Sequence, residues 1–206
     1  MPRNSLSDLK KRRSTVALFL AAVGVIGATA CDDPFGLKAT LGVINDTLVV
    51  YAMTGTATSF PSGFNAATGA LTRITPDIPF DVAFDLTADN KIKMVPARLI
   101  SGTRVSLGVV QVTQQVGLQA PANTTFEAIT KAPSSGYKRD SVLVVGTGQP
   151  VVIEVVSDAC QFSLASIMYA KVVVDSVNPT SRQIFFRSTR DPNCGFRSFQ
   201  PGVPKN

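Results

Sequence analysis

Asp81, Asp85 and Asp89, spaced by four and followed by Asn90, are the residues of this chain whose types come nearest to a metal site. Carboxylate and amide oxygens are what Ca²⁺ takes, roughly six to eight at a time. The spacing matches no EF-hand loop, so these three are weak candidates. A plainer reading is preferred. In Phe80-Asp81-Val82-Ala83-Phe84-Asp85-Leu86 apolar residues alternate with Asp81, Ala83 and Asp85. That is the period of a half-buried strand, with both carboxylates on its solvated face and Asp89-Asn90 as turn formers. As a glycosidase pair the same acids would need a sugar cleft between them. The chain has no Trp and only three Tyr to build its aromatic floor.

The C-terminal stretch interleaves Arg182, Arg187, Arg190 and Arg197 with Phe185, Phe186, Phe196 and Phe199, against one acid, Asp191. Basic and aromatic residues mixed in this way can meet an anionic lipid head group. They also fit a core strand with Phe inside and Arg outside, and that reading is preferred. The chain contains no histidine. Ser-His-Asp and Cys-His schemes are therefore excluded, as are the common zinc sites. No catalytic residue, metal or other cofactor is expected.

The elements that would position these residues begin with an address. Residues 1–14 hold Arg3, Lys10, Lys11, Arg12 and Arg13 against Asp8, and an uncharged run follows from Val16 to Ala30. A basic head, a short apolar run and small residues at its end make an export signal. As a helix the run would span ~22 Å, less than a bilayer core of ~30 Å, which disfavours a permanent transmembrane span. The signal removes five of 20 basic and one of 14 acidic residues, which leaves 15 and 13 and a net charge of +2 in place of +6. The basicity belongs to the targeting segment, and nucleic acid is not an expected partner.

The run closes in Ala28-Thr29-Ala30-Cys31, which resembles the lipobox of bacterial lipoproteins, with Ala28 where leucine is usual. The resemblance covers residues 1–31. It implies cleavage before Cys31 and acylation of that cysteine, palmitate being the usual kind of chain. The alternative is an ordinary signal cut after Ala30, with Cys31 a free thiol. Two acyl chains hold a protein stably where one does so marginally. With Cys31 lipidated, Cys160 and Cys194 remain as an even pair in an oxidising compartment, and a Cys160–Cys194 disulfide is expected. The expected organisation is a signal at 1–30, a short tether at 31–37 and one domain at 38–206. So short a tether places the domain beside an envelope membrane, facing the periplasm or the cell exterior.

The domain reads as β throughout. Runs at 39–44, 47–54, 80–86, 91–100, 104–116, 141–145, 151–156, 167–174 and 183–188 are rich in Val, Ile, Phe, Tyr and Thr and are broken by Gly, Pro, Asn and Asp. Hairpins are expected at 79–100 and around Asn178-Pro179-Thr180-Ser181. Segments 55–78 and 117–139 read as long loops, and only 163–169 would allow one turn of helix. The pattern predicts an antiparallel β-sandwich, loosely immunoglobulin-like, with a small β-barrel as the alternative.

The chain also resembles uncharacterised β-rich envelope lipoproteins of environmental bacteria. The likeness lies in the lipobox, in an early strand Asp46-Thr47-Leu48-Val49-Val50-Tyr51-Ala52, and in the tail Asp191-Pro192-Asn193-Cys194-Gly195-Phe196-Arg197-Ser198-Phe199. It implies an address and no activity. The functional expectation is a non-enzymatic binding or structural module, held to the membrane by its N-terminal lipid and meeting an envelope protein or polymer. A carrier or sensor of a small apolar ligand is the alternative, and a carboxylate-based hydrolase ranks below it.

Overall fold

The computed structural model describes residues 36–103, 116–139 and 141–205. The export signal, Cys31, most of the tether and the expected strand at 104–116, apart from Val116, lie outside the described residues. Leu37 onward forms one compact unit. Among the described residues no helix is long and apolar enough to cross a membrane.

Ten strands are described: β1 (Ile44–Tyr51), β2 (Gly63–Phe64), β3 (Leu71–Thr72), β4 (Val82–Leu86), β5 (Ile92–Pro96), β6 (Val116–Gln119), β7 (Leu143–Val145), β8 (Pro150–Val156), β9 (Ile167–Asn178) and β10 (Gln183–Asp191). They form two open five-stranded sheets, in the orders β1-β10-β9-β8-β6 and β3-β2-β4-β5-β7, with every pairing antiparallel. The fold is thus an all-β sandwich. The barrel alternative is wrong because neither sheet closes on itself.

Both expected hairpins are present. Leu86 pairs with Ile92 across a turn in which Asn90 adopts φ 57°, and Gln183 pairs with Asn178. The Asn178 side-chain oxygen accepts hydrogen bonds from the amides of Thr180 and Ser181, so the residue that signalled the turn also closes it. The single core between the sheets takes Val50, Phe64, Phe84, Met94, Leu118, Ile153, Ile184 and Phe186 from both layers. Phe186 stacks on Phe84 at 5.0 Å and meets Phe64 edge-on at 5.5 Å.

Several boundaries differ from expectation, for one recurring reason: tertiary contacts use segments that lack a pattern of their own. The expected strands at 39–44 and 47–54 are one strand, β1, preceded by a strap. Segment 55–78 contains β2 and β3, whose two-residue lengths are too short to show a period. The turns of helix are at Ala97–Leu99 and Asp158–Cys160, and 167–169 opens β9 instead. Segment 117–139 begins in β6 and then lies over the outer face of the first sheet. There Ile129 and Ala132 pack with Val152, Tyr169 and Phe199. A third cluster, Phe80, Ala83, Val95 and Ala97, covers the outer face of the second sheet. Central strands are therefore buried on both faces.

Candidate functional site

That double burial overturns the solvated-face reading of the aspartates. Asp81 is 3% exposed and Asp85 4% exposed. Asp81 Oδ2 accepts a 2.6 Å hydrogen bond from the Ala66 amide. Burial pushes its carboxyl up to about 6, against the pull of amide hydrogen bonds from Ala66 and Ala67. Burial acts on Asp85 in the same direction but is outweighed. The Thr54 hydroxyl and amide, the Leu86 amide and the Arg182 guanidinium hold that carboxyl below its ordinary value. Asp89 is exposed and pairs with Lys91 at 2.8 Å. The three do not converge, and no group of three potential ligands that could hold a metal ion occurs among the described residues. Asp81 and Asp85 instead pin the 52–66 segment to β4.

Asp81 carries a testable consequence. Its folded-state value lies above its unfolded one, so the native state binds the proton more tightly. Stability contributed by this group therefore rises as pH falls from about 7 through 6 towards 4, by roughly 2–3 kcal/mol in all. The difference in unfolding free energy between wild type and Asp81→Asn, measured by urea titration, should widen in favour of wild type over that window. A difference that stays flat from pH 4 to 7 refutes the shift.

The four arginines do not form one patch. Arg182 sits in the β9–β10 turn, where its Nε donates to the Thr54 carbonyl and its guanidinium faces Asp85. Arg187, in mid-strand, is held by Asp175 at 3.0 Å and Glu127 at 2.8 Å, which raise its already high pKa. Arg190 reaches Asp46 at 3.4 Å. Arg197 has no ion pair among the described residues, and it lines a cleft at the opposite end from Arg182. Of the interleaved aromatics, Phe186, Phe196 and Phe199 are buried and Phe185 is half-buried.

Sequence reasoning missed two buried ionisable groups. Glu154 and Lys171 lie on the outer face of the first sheet, under segment 120–139. The Glu154 carboxylate accepts from Arg139 and from the Tyr169 hydroxyl. Lys171 Nζ donates to the carbonyls of Phe126 at 2.7 Å and Ile129 at 3.0 Å, over the Phe126 ring, and burial lowers its pKa. The signal was present: a single charge set inside each of two valine-rich runs. The neighbouring Tyr137 hydroxyl is pushed up, first by burial and then by the nearby Glu154 charge.

The end of the sandwich defined by Ile44, Val156, Ile167 and Asp191 gathers the remaining features. Antiparallel register brings these strand ends together. Cys160 and Cys194 form the expected disulfide across a sequence separation of 34. Asn193, beside it, fastens the incoming chain. Its Oδ1 accepts from the amides of Thr40 and Leu41, and its Nδ2 donates to the Leu41 carbonyl and to Asp191 Oδ1. The Val43 amide adds a bond to the Gly202 carbonyl. The tail motif Asp191-Pro192-Asn193-Cys194-Gly195 is thus the clamp for residues 37–43.

Against that clamp opens a cleft of 360 Å³, whose lining includes Leu37, Phe196, Lys131, Arg197 and Lys205 and, among the described residues, no acidic side chain. Gly195, in the same lining, has φ +82°, and a Cβ there would stand 2.6 Å from the Ala165 Cβ and 2.8 Å from Leu37 Cδ1. Only glycine lets the strap, the tail and the 161–166 loop meet at this point. That loop presents Phe162, 94% exposed, and Leu164, 78% exposed. Comparison of the chain with protein-family models, with curated proteins and with solved structures finds no match.

Proposed function

We propose that the chain is a lipid-anchored envelope protein whose sandwich is a non-enzymatic binding or structural module, held close to the membrane that carries its lipid. The observation that carries this reading is the strap. Residues 40–43 are fixed to the tail through Asn193 and Gly202. Leu37 lines the cleft beside Gly195, so only residues 32–36 separate the body from Cys31, and that span can reach about 20 Å at most. A domain tied so near its anchor works at the bilayer surface and not across the envelope. The buried ionisable side chains support the non-enzymatic half of the reading. Asp81, Asp85, Glu154 and Lys171 each bind a neighbouring segment through hydrogen bonds, as a scaffold requires, and Asp191 holds Asn193 within the tail. An envelope protein or polymer is the partner such a body would present its surfaces to.

The intact mass of protein purified from the membrane fraction tests the anchor. The expected mass is that of residues 31–206 plus acyl groups, increasing by two hydrogens on reduction. A mass without acyl groups would overturn the anchored reading and leave a secreted domain.

A further inference from the structure

We infer that the strap end of the sandwich is a bilayer-docking face. Phe162 and Leu164 enter the interfacial region, while Lys131, Arg197 and Lys205 receive the phosphate of an anionic lipid head group. The inference deepens the anchored reading, on which it rests only for the supply of a nearby membrane.

Four observations place these groups together. The 161–166 loop is braced at its base: the Ser157 amide donates to the Ser166 carbonyl, the Gly195 amide to the Ile167 carbonyl, and the Cys160–Cys194 disulfide joins loop to tail. A braced loop cannot fold its apolar tip inward, so Phe162 and Leu164 are held in water. Ala165, next to Leu164, packs on Gly195, which lines the cationic cleft. Among the described residues none of the three cations of that cleft has an ion pair, whereas Arg182 and Arg190 each have one and Arg187 has two. Leu37, where the chain from Cys31 joins the body, lines the same cleft. Apolar side chains flanked by basic ones are what an interface with anionic lipid takes up: the first gain from burial below the head groups, the second from the surface potential. The chain's own anchor delivers this end to that surface.

The chain has no tryptophan, so Phe162→Trp creates a single reporter. Phe60→Trp is the control. Phe60 is 43% exposed and stacks on Tyr51, at the far end of the eight-residue β1. That is about 25 Å from the strap end. Full-length protein purified from membranes is reconstituted into vesicles carrying brominated acyl chains, with or without phosphatidylglycerol. The indole of the F162W variant should be quenched and blue-shifted in the anionic vesicles, and that of F60W should not. In the F162W background, Lys131→Gln, Lys205→Gln and Arg197→Gln should each lower the docked-to-undocked ratio about fivefold. The first two lie at exposed side chains, so folding is not at stake in them. Several results would overturn the inference: equal quenching of F60W and F162W, equal quenching by neutral vesicles, or an F162W emission already shifted without vesicles through self-association. Release of the F162W indole by inorganic phosphate, but not by chloride of equal ionic strength, would reassign the cleft to a soluble anion. The mass of the same sample separates the two readings. An acylated F162W protein with its indole in water keeps the anchor and loses the docking face; an unacylated one with its indole quenched does the reverse.

Discussion

Replacing Phe186 with alanine should lower the unfolding free energy by about 3–5 kcal/mol, the usual cost of emptying a fully buried aromatic site. Phe186 is 0% exposed and touches rings from the opposite sheet, Phe84 in a stack and Phe64 edge-on. Its truncation removes buried apolar area and also two aromatic contacts, each worth about 0.5–1.5 kcal/mol beyond that area. The cavity would open where the two sheets touch, and short strands held in paired sheets cannot shift singly to fill it. A typical domain is stable by about 5–15 kcal/mol, so this one change consumes a large share. Phe162→Ala is the internal comparison. With its ring in water it should change stability by no more than about 0.5 kcal/mol. Urea unfolding followed by circular dichroism reads both variants. If they came within about 1 kcal/mol of each other, the placing of Phe186 between the sheets would be wrong.

Loss of the disulfide is the second large effect. On the loop-entropy account, a closed loop of about 34 residues confers roughly 3–4 kcal/mol. Cys160 also sits in the main core at 1% exposure, so the double replacement Cys160→Ala/Cys194→Ala removes apolar contact as well. For a domain of this size the melting temperature should fall by roughly 10 °C. The damage should also be local. Asn193 and Gly195 flank Cys194, and they hold the Thr40, Leu41 and Ile167 backbone. Hydrogen exchange at the Thr40, Leu41 and Gly195 amides should therefore accelerate before exchange in β9 and β10 does. An unchanged midpoint, or uniform acceleration, would show that the bridge does not secure the strap.

The contrast between Phe185 and Phe186 shows where sequence reading loses resolution. Alternation places neighbours on opposite faces, and here it does: Phe186 is in the core and Phe185 is half-buried. The register also shifts between them, so Asp175 on β9 is the extra residue of a bulge. That bulge accompanies the Asp175–Arg187 pair, which takes Arg187 out of any free cationic surface. No pattern within β10 reports a bulge in its partner.

Local chemistry determined much of this protein. Period-two runs, β-branched composition and turn residues were sufficient for the all-β class, the long strands β8, β9 and β10, and both hairpins, because those are interactions between near neighbours. Counting cysteines, with one assigned to lipid, was sufficient for the bridge. Tertiary structure alone decided which side of a strand meets water. Asp81 and Asp85 alternate as a solvated face should, yet other segments cover that face, and charges that look exposed in sequence become the pins that hold those segments down. It also decided which arginines are paired, since Arg182, Arg187 and Arg190 are neutralised by acids up to 144 positions away. Burial and charge pairing are properties of space, and a chain brings them about only when distant segments meet.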